Sequence, residues 1–556
     1  MRSQQLRAGL REIICASGNF LAAPYRDNRS ECLWPEVTGT RFSWGFSIQL
    51  GLIWGNKLRR LRSLSIIVAV CLLLVAAVRW QNSGIPSAVA QPQASPQILS
   101  TSNRAIHLTK APDPLTLQTT APGTTVYVAR RGDTITFVSR QFLKKTSYLT
   151  SVELSDAIRK ANGDRQGNTL KSGESIVIPG ILEGPITEKP ITVPRDFEVR
   201  AVYLTGVMAG SEHGRQIIRR WRDLGGNAVV FDIKDSDGIV NIAFDHPLAS
   251  SSHHPYISDL PKLTRYLHSQ GMHAIARIAI FRDERLVTTH PELAVKSRRS
   301  GQPWRENGKL VWTDPSQAKV QDYNIVLAKK AVDSGADEVQ FDYVRFPAEG
   351  DQKDANFLFQ TEHPGWRRTD VIADFLKHAY GELHPMGVLL SLDVFGVMAW
   401  QRPVDLAHTG QDIVGMAKFC DVLSPMIYPS HFFGMDGYAH PGDAPEHFIG
   451  ESMDRFGLIT KGSGVVIRPW LQAFGWRTRT YSPKYIEIQV QVAKNKGGIG
   501  FLFWNANNNY SKPYAAMPDM GAAKAQFFRG DELPAPVHVG LAPAPIAPEG
   551  STAGVH

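Results

Sequence analysis

Cysteine is scarce in this chain: its 556 residues include only four, Cys15, Cys32, Cys71 and Cys420. Only Cys420 lies beyond residue 79, so the main body can hold neither an internal disulfide nor a cysteine-rich metal site. We expect this single thiol to be buried and unreactive.

Signals for phosphate and metal binding are also missing. There is no Walker loop, and residues 205–210 lack the spacing of a Gly-rich dinucleotide turn. No H-E-x-x-H pattern occurs, and the acidic residues at 232, 235 and 237 do not fit a calcium loop. Two pairs of nearby histidines, His253-His254 and His268 with His273, also lack the i, i+4 spacing of paired metal ligands on a helix. These absences disfavour a metal-dependent polysaccharide deacetylase, and we expect neither a metal nor another cofactor.

The chain lacks a continuous basic stripe, although its formal net charge is +9. Much of the basic excess lies in the first 62 residues and around residues 130–145. Because basic residues are not interleaved with aromatic ones, we do not expect nucleic acid as a partner. The content of 43% hydrophobic and 20% charged residues is typical of globular protein with room for a large core.

The first part of the chain has the pattern of an exported protein. A basic lead over residues 1–62 is followed, within residues 63–79, by the uncharged run Leu64–Val78. This run is short for a spanning helix and typical of a signal segment. We therefore expect a periplasmic or cell-envelope location, with membrane anchorage if the segment is not cleaved. Residues 80–123 are predicted to be a Pro/Ser/Ala-rich linker, and residues 530–556 a disordered tail.

Residues 124–181 predict a small α+β module with the order strand, helix, helix, strand. The expected helices are Ile135–Leu143 and Leu154–Asn162, separated by a long insert, Lys144–Val152. The segment resembles a LysM module, apart from that insert, through Tyr127, Gly132-Asp133-Thr134, Ala161-Asn162, Leu170, Gly173 and Ile176-Val177-Ile178-Pro179. The resemblance implies binding to peptidoglycan or another N-acetylglucosamine-containing glycan. The alternative is a spacer.

After a proline-rich connector over residues 182–197, residues 198–515 alternate apolar strands with amphipathic helices. The expected strands are Val199–Thr205, Ala228–Ile233, His273–Phe281, Val339–Phe346, Val388–Phe395, Val422–Tyr428, Ile467–Phe474 and Ile499–Trp504. The expected helices are Gly214–Leu224, Leu260–Gln270, Val320–Ser334, Arg368–Tyr380 and Pro483–Asn495. Eight such units with right-handed crossovers predict a (β/α)8 TIM barrel. An open doubly wound sheet is the alternative.

Acidic residues near the strand ends are the candidate catalytic groups, because catalytic side chains collect at the C-terminal end of a TIM barrel. Asp232, Asp342 and Asp393 come late in their strands, whereas Glu338 and Asp421 come early, at the end associated with stability. The strands of Asp342 and Asp393 are expected to be neighbours, about 4.8 Å apart. Their carboxyl groups can then reach the separation of about 5–5.5 Å of a retaining glycosidase.

We predict Asp342 as nucleophile and Asp393 as general acid/base, with Asp232 in reserve. Lys234 or Arg345 would keep the nucleophile ionised, because a nearby cation lowers the pKa of a carboxylate. Strand parity places Lys234 on the side of Asp232. It places Arg345 on the side opposite Asp342, where it would brace a loop, unless the strand bends at Pro347. A purely structural ion pair between Asp342 and Arg345 is the alternative.

Aromatic and amide residues at the strand ends suit the apolar faces and hydroxyls of sugars. In addition to Lys234 and Arg345, the predicted substrate-binding residues are Asp235, Tyr343, Tyr428, His431, Trp470, Trp504 and Asn505. For Tyr428 and Trp504, a role as large core residues is the alternative.

From about Val199 to Tyr510 the chain resembles an uncharacterised bacterial family of glycoside-hydrolase TIM barrels. The residues that carry the resemblance are Phe231-Asp232-Ile233-Lys234-Asp235, Gln340-Phe341-Asp342-Tyr343-Val344-Arg345-Phe346-Pro347, Ser391-Leu392-Asp393-Val394-Phe395-Gly396, Ser424-Pro425-Met426-Ile427-Tyr428-Pro429 and Phe503-Trp504-Asn505. It implies a sugar-polymer hydrolase fold, amylase-like in the broad sense, in which the strand-four aspartate is the nucleophile. That pattern has Glu where this chain has Asp393.

We therefore expect an exported glycosidase that cleaves a cell-wall or extracellular polysaccharide by a two-carboxylate mechanism. The LysM-like module would hold it to peptidoglycan. The alternative is a non-catalytic carbohydrate- or peptidoglycan-binding envelope protein with a degenerate barrel.

Overall fold

The computed structural model describes residues 123–249 and 255–530. The predicted basic lead, hydrophobic segment and linker up to residue 122, and the tail after residue 530, lie outside these residues. Among the described helices, none combines the length and apolar character needed to cross a membrane.

The first described unit has the predicted strand–helix–helix–strand order. Its elements are β1 (Thr124–Val128), α1 (Ile135–Phe142), α2 (Ser151–Ala161) and β2 (Ser175–Pro179). The two strands pair antiparallel over a small buried core that includes Ile135, Val138, Leu154, Ile158 and Ile178. Helix α2 begins at Ser151 rather than at Leu154, because the Thr150 hydroxyl caps it by accepting a 3.2 Å hydrogen bond from the Glu153 N–H. The insert before it is correspondingly shorter.

The remaining strands form a closed barrel and one small hairpin. In chain order they are β3 (Val199–Leu204), β4 (Ala228–Lys234), β5 (His273–Ala279), β6 (Lys296–Ser297), β7 (Glu338–Asp342), β8 (Ala355–Asn356), β9 (Leu389–Phe395), β10 (Val422–Ile427), β11 (Val466–Ile467), β12 (Trp470–Gln472) and β13 (Gly500–Trp504). Strands β6 and β8 pair with each other, whereas the others pair in parallel. Strand β13 returns to β3, and β11 and β12 both pair with β10. The predicted TIM barrel is thus confirmed, and the alternative prediction of an open doubly wound sheet is wrong.

Helices surround the barrel. They are α3 (Gly206–Ala209), α4 (Glu212–Asp223), α5 (Leu260–Ser269), α6 (Glu284–Thr289), α7 (Ala318–Val332), α8 (Phe359–Glu362), α9 (Arg368–Leu383), α10 (Pro403–Thr409), α11 (Ile413–Met416), α12 (Pro445–Ile459), α13 (Pro483–Asn495), α14 (Ser511–Ala522) and α15 (Lys524–Phe527). Side-chain oxygens cap several of them, as Ser211 does for α4 and Ser482 for α13. The five predicted helices correspond to α4, α5, α7, α9 and α13.

Alternating side chains divide each strand between two cores, as the pleat requires. Outward-facing residues such as Phe231 and Phe341 pack against the helices in one large cluster. Inward-facing residues such as Ala201, Val230 and Leu502 form a second cluster inside the barrel. Because inward positions repeat at every second residue, the last inward residue of each strand lies at the barrel mouth.

The first unit contacts the barrel through polar groups near the start of α2. The Glu153 carboxylate lies 3.1 Å from Arg215 on α4, and the Thr150 hydroxyl donates a 2.9 Å hydrogen bond to Glu212. Lys262 on α5 donates a 2.7 Å hydrogen bond to the Leu143 carbonyl. The interhelical segment that departs from the LysM pattern is therefore the part that packs on the barrel wall.

Candidate active site

A cavity of about 530 Å³ opens at the C-terminal ends of the barrel strands. Its aromatic lining residues are Trp312, Tyr343, Phe395, Tyr428, Phe432, Phe433, Trp470, Trp476 and Trp504. Its charged lining residues are Arg277, Arg282, Arg345 and Arg402 together with Glu306, Asp342, Glu349 and Asp393. Broad apolar faces with a few convergent polar groups are the usual anatomy of a ligand site.

Arg277 on β5 gathers three aspartates at the base of this cavity. Its Nη1 donates a hydrogen bond to Asp232, its Nη2 lies 2.6 Å from Asp342 Oδ2, and its Nε lies 3.6 Å from Asp393 Oδ2. The barrel register explains the arrangement, because Asp232 on β4 is directly opposite Arg277 and Asp342 ends the strand on its other side. One guanidinium therefore links carboxylates from three strands.

The contacts with Arg277 limit the distance between the two predicted catalytic carboxylates. Two nitrogens bonded to the same guanidinium carbon lie about 2.3 Å apart. With contacts of 2.6 Å to Asp342 and 3.6 Å to Asp393, the facing oxygens are at most about 8.5 Å apart. This limit permits both the retaining separation of about 5–5.5 Å and much of the inverting range of about 6.5–9.5 Å.

The surroundings of Asp393 on β9 favour the neutral form of its carboxyl group. Its side chain is fully enclosed, and burial together with the nearby charge of Asp342 raises its pKa well above the ordinary range, against the opposing effect of Arg277. Trp470 Nε1 donates a 2.7 Å hydrogen bond to Oδ1, whereas Oδ2 has no hydrogen-bond partner among the described residues. Oδ2 is thus the oxygen available to carry a proton.

Asp342 ends β7 beside a sharp change in backbone direction. Its Oδ1 accepts a 2.5 Å hydrogen bond from the Tyr343 N–H, and Tyr343 has a left-handed φ of +54°. Such a φ is uncommon for a non-glycine residue and interrupts the alternation of a strand. Arg345 consequently enters the same cavity as Asp342, so the parity argument that placed it on the opposite side was wrong.

Asp232 lies behind Arg277 rather than on the cavity surface. It is fully buried and also accepts a hydrogen bond from the Tyr203 hydroxyl. Burial raises the pKa of Asp232 to about 7, against the lowering effect of Arg277. This geometry suits a residue that orients Arg277, and Asp232, unlike Asp393, is not among the cavity-lining residues.

Lys234 lies outside the cavity, contrary to the prediction from strand parity. The β4–β5 register shifts between Asp232 and Lys234, a bulge that reverses which side the later residue faces. Lys234 therefore points toward the helices, where it is fully buried, 2.8 Å from Asp283 and 3.0 Å from Asn324 on α7. Lys234 therefore does not contact Asp342, and Arg277 is the cation beside that carboxylate.

Two other predicted binding residues serve local turns and are not among the cavity-lining residues. Asp235 accepts a 2.6 Å hydrogen bond from the Ser236 N–H. Asn505 donates a 2.6 Å hydrogen bond to the Ala473 carbonyl and accepts one of 2.9 Å from the Asn507 N–H. Both lie near the barrel mouth, but their polar groups are used in holding loops.

The predicted aromatic residues of β10, β12 and β13 do come together, on one wall. The Tyr428 and Trp504 rings are stacked, with centroids 5.7 Å apart, and Trp470 lies beside Asp393. His431 also borders the cavity, and burial followed by the charge of Arg477 lowers its pKa to about 4. A neutral imidazole and flat rings suit contacts with sugar hydroxyls and ring faces.

Arg277, Arg282, Glu306 and Trp312 line the cavity but were not predicted. Only Arg277 carried a usable signal, because it is a charged residue in the middle of the predicted apolar strand His273–Phe281. The other three follow β5 in long loops, where periodicity gives no information about orientation. No group of three or more His, Cys, Asp or Glu residues suited to a metal ion occurs in the described part of the chain.

Comparison with known proteins gives the following similarities. The family described as "Putative glycosyl hydrolase domain" matches residues 201–510. A hypothetical protein from Ruminiclostridium thermocellum ATCC 27405 is 36% identical, with a TM-score of 0.30, over 35% of this chain and 97% of its own. The PgaB (BpsB) glycoside hydrolase domain from Bordetella bronchiseptica is 16% identical, with a TM-score of 0.43, over 60% and 100%. The spore cortex-lytic enzyme SleL from Bacillus megaterium QM B1551 is 12% identical, with a TM-score of 0.36, over 71% and 86%. No curated protein sequence matches the chain.

Proposed function

Because this chain belongs to the family described as "Putative glycosyl hydrolase domain", we propose that it hydrolyses a glycosidic bond with Asp342 and Asp393 as its catalytic carboxylates. The observation that carries the proposal is the placement of both groups around Arg277, at the base of one aromatic-lined cavity. Glycoside hydrolysis requires two such carboxyl groups on either side of the bond that breaks.

Asp393 is the proton donor in this scheme. Burial and the neighbouring Asp342 keep its carboxyl group neutral above the ordinary pH range of an aspartate. The proton on Oδ2 passes to the glycosidic oxygen as the bond from that oxygen to the anomeric carbon breaks. Trp470 fixes the other oxygen and so orients the group.

Asp342 is the anionic partner. The Arg277 guanidinium and the Tyr343 N–H both bind its oxygens and stabilise the carboxylate. In that form it meets the positive charge that develops at the anomeric carbon, either by attacking the carbon directly or by deprotonating a water molecule. The sugar ring would stack on the wall formed by Tyr428 and Trp504.

The substrate we propose is a cell-wall or extracellular polysaccharide, and the protein would be exported and held to peptidoglycan. The strand–helix–helix–strand order of β1, α1, α2 and β2 supports a LysM-like module for that attachment. The uncharged run Leu64–Val78 supports export, with an anchor in the membrane if it is not cleaved. No cofactor is required by a two-carboxylate mechanism.

Measurement of reducing ends released from peptidoglycan and from secreted polysaccharides tests this proposal. We expect Asp342→Asn and Asp393→Asn each to lower turnover by about 10²- to 10⁴-fold, because each removes one of the two groups needed for acid–base chemistry. Both full-length variants should still sediment with insoluble peptidoglycan, since binding through the module does not need these carboxylates.

Asp223→Asn is the matched control, because Asp223 is an exposed carboxylate at the end of α4, away from the cavity. The turnover of this variant should equal that of the parent protein. Release of no sugar by the parent, together with unchanged glycan affinity in the two Asn variants, would instead indicate a non-catalytic binding protein. Loss of sedimentation from every sample would refute the attachment and leave hydrolysis unaffected.

A further inference from the structure

Two arginines other than Arg277 reach the cavity from different loops. Arg282 follows β5 and Arg345 follows β7, and each residue is only 7% exposed. Their guanidinium carbons lie 5.8 Å and 5.3 Å from the centroid of the same ring, that of Tyr343. The left-handed backbone at Tyr343 is what brings Arg345 to this position. The two cations therefore form one local group at the side of the catalytic pair.

Neither guanidinium is paired with an acid among the described residues. Arg282 Nη1 donates a 2.8 Å hydrogen bond to the Ser236 carbonyl, and Arg345 Nη1 donates one of 3.1 Å to the Phe346 carbonyl. A guanidinium has five N–H donors, so most donors of both side chains are not bonded to described protein atoms. Enclosed charges are costly unless they are paired, which favours an anionic occupant in the adjoining cavity.

The acids that line the cavity act on Arg345 only from beyond ion-pair distance, Glu306 most strongly. Asp342 is already bound by Arg277, and Glu349 accepts a 3.1 Å hydrogen bond from Asn307. Glu306 is 7% exposed; its backbone carbonyl accepts a 2.9 Å hydrogen bond from the Lys309 N–H, whereas its carboxylate pairs with no described residue. Arg282 and Arg345 therefore keep guanidinium N–H donors that no acid holds at ion-pair distance, and Glu306 can accept a hydrogen bond from a sugar hydroxyl.

We propose that Arg282 and Arg345 bind the carboxylate of an acidic sugar in the polysaccharide chain. A planar guanidinium matches a carboxylate through two parallel N–H donors, and the flat Tyr343 ring holds both forks at the cavity wall. Uronic acids and the lactyl group of muramic acid share this chemistry. The inference rests on the proposed glycosidase function and narrows its substrate to carboxylated glycans.

Calorimetric binding to full-length Asp393→Asn protein tests the subsite without turnover. The probes are a uronic acid oligosaccharide, its carboxyl-reduced counterpart, a glycan strand with free muramic acid carboxylates, and a cationic glucosamine oligosaccharide. We expect at least one of the two carboxylated probes to bind about 10-fold or more tightly than the neutral probe, because its carboxylate gains charge-assisted hydrogen bonds. The probe that shows this preference identifies the source of the carboxylate.

In the Asp393→Asn protein, Arg345→Gln and Arg282→Gln should each remove most of the preference for the carboxylated probe over the neutral one. Arg345→Lys should keep only part of this preference. Lys retains the charge but lacks the two-donor fork. Arg367→Gln is the matched control, because Arg367 is exposed, paired with Asp370 at 3.1 Å and not among the cavity-lining residues; it should keep the full preference. Thermal unfolding of each variant shows whether a loss of probe binding is caused by misfolding.

Equal affinity for neutral and carboxylated probes, tighter binding of the cationic probe, or a preference that survives both Gln variants would overturn the inference. These results can be separated from failure of the proposed function. Cleavage of a neutral polysaccharide with no carboxylate preference refutes the subsite alone. Carboxylate-selective binding without cleavage by the parent protein refutes hydrolysis alone.

Discussion

Arg277 is the residue on which the candidate active site depends. It is nearly enclosed, and its three ion-pair contacts reach aspartates from three different strands. Burial alone would lower the pKa of Arg277, but the surrounding carboxylates raise it well above the ordinary value, so the guanidinium stays charged. A permanent cation in this position contacts both the Asp342 and the Asp393 carboxyl groups.

The protonation of Asp393 gives a prediction for pH dependence. Its pKa is raised, so the group is protonated below that pKa, and kcat/KM should fall as pH rises through it. The Trp470 hydrogen bond favours the ionised form and lowers the pKa. Trp470→Phe removes that bond, and we expect the falling limb of the pH profile to move to higher pH.

Trp504→Phe provides the comparison, because Trp504 lines the same cavity but makes no hydrogen bond to Asp393. Its loss of stacking should weaken activity at every pH without moving the limb. A limb that stays in place, or moves to lower pH, in Trp470→Phe would contradict the assignment of Asp393 as the acid.

At the scale of the element, β4 serves two sides of the barrel wall. Asp232 faces inward and binds Arg277, whereas Lys234 faces outward after the bulge and binds Asp283 and Asn324. An unbroken strand would have placed both side chains in the mouth. The bulge therefore directs Lys234 away from the candidate active site. Lys234 instead connects β4 to α7 through Asn324.

This division predicts a stability effect at Lys234 that is separate from catalysis. Lys234→Met leaves the Asp283 carboxylate enclosed without its cation, and removal of one member of a buried pair typically costs about 3–5 kcal/mol. We expect a loss of that size in the free energy of unfolding, measured by urea titration. The kcat of the protein that remains folded should change little.

Lys329→Met is the control, since Lys329 on α7 pairs with Glu382 at the surface. Exposed pairs contribute at most about 1 kcal/mol, so this variant should remain close to the parent in stability. A large fall in kcat with unchanged stability in Lys234→Met would contradict a purely structural role for Lys234.

At the scale of the whole molecule, the two ends of the barrel hold different charged clusters. The mouth has the aspartates around Arg277, whereas the opposite end is closed by Glu338 and Arg468, whose charged atoms lie 2.8 Å apart with both side chains fully buried. The connector after the first unit also reaches this end, where the Ile191 N–H donates a 2.6 Å hydrogen bond to Asp337. As predicted, Asp342 and Asp393 lie toward one end of the barrel strands and Glu338 lies at the other.

The Glu338 pair predicts how stability depends on acid. Burial alone would raise the pKa of Glu338, but Arg468 and His273 outweigh it and lower the pKa from 4.5 to about 2. A lowered pKa contributes stability above the unfolded value and loses it as pH falls through the folded value. About 3 kcal/mol should therefore disappear between about pH 4.5 and pH 2.

Urea unfolding of the parent and of Glu338→Gln across that range is the measurement. The difference in stability between the two proteins should be large at pH 7 and shrink toward pH 2. Glu451→Gln, which alters an exposed pair with Arg455, should show almost no difference at any pH. A gap between parent and Glu338→Gln that is constant with pH would disprove the proposed linkage.

The sequence by itself determined the number of barrel strands and their order. Hydrophobic periodicity and strand length are local properties, and they were sufficient to place Asp342 and Asp393 at the ends of neighbouring strands. Cys420, expected to be buried as the single thiol of the main body, is buried in the structure.

Only the tertiary structure decided which charged groups meet. The bulge in β4 sent Lys234 outward, the left-handed Tyr343 brought Arg345 inward, and the register of β4, β5 and β7 brought Arg277 to the aspartates. Bulges, single backbone reversals and long loops change the direction of a side chain without changing local periodicity. Their effect is visible only when strands that are distant in sequence are paired.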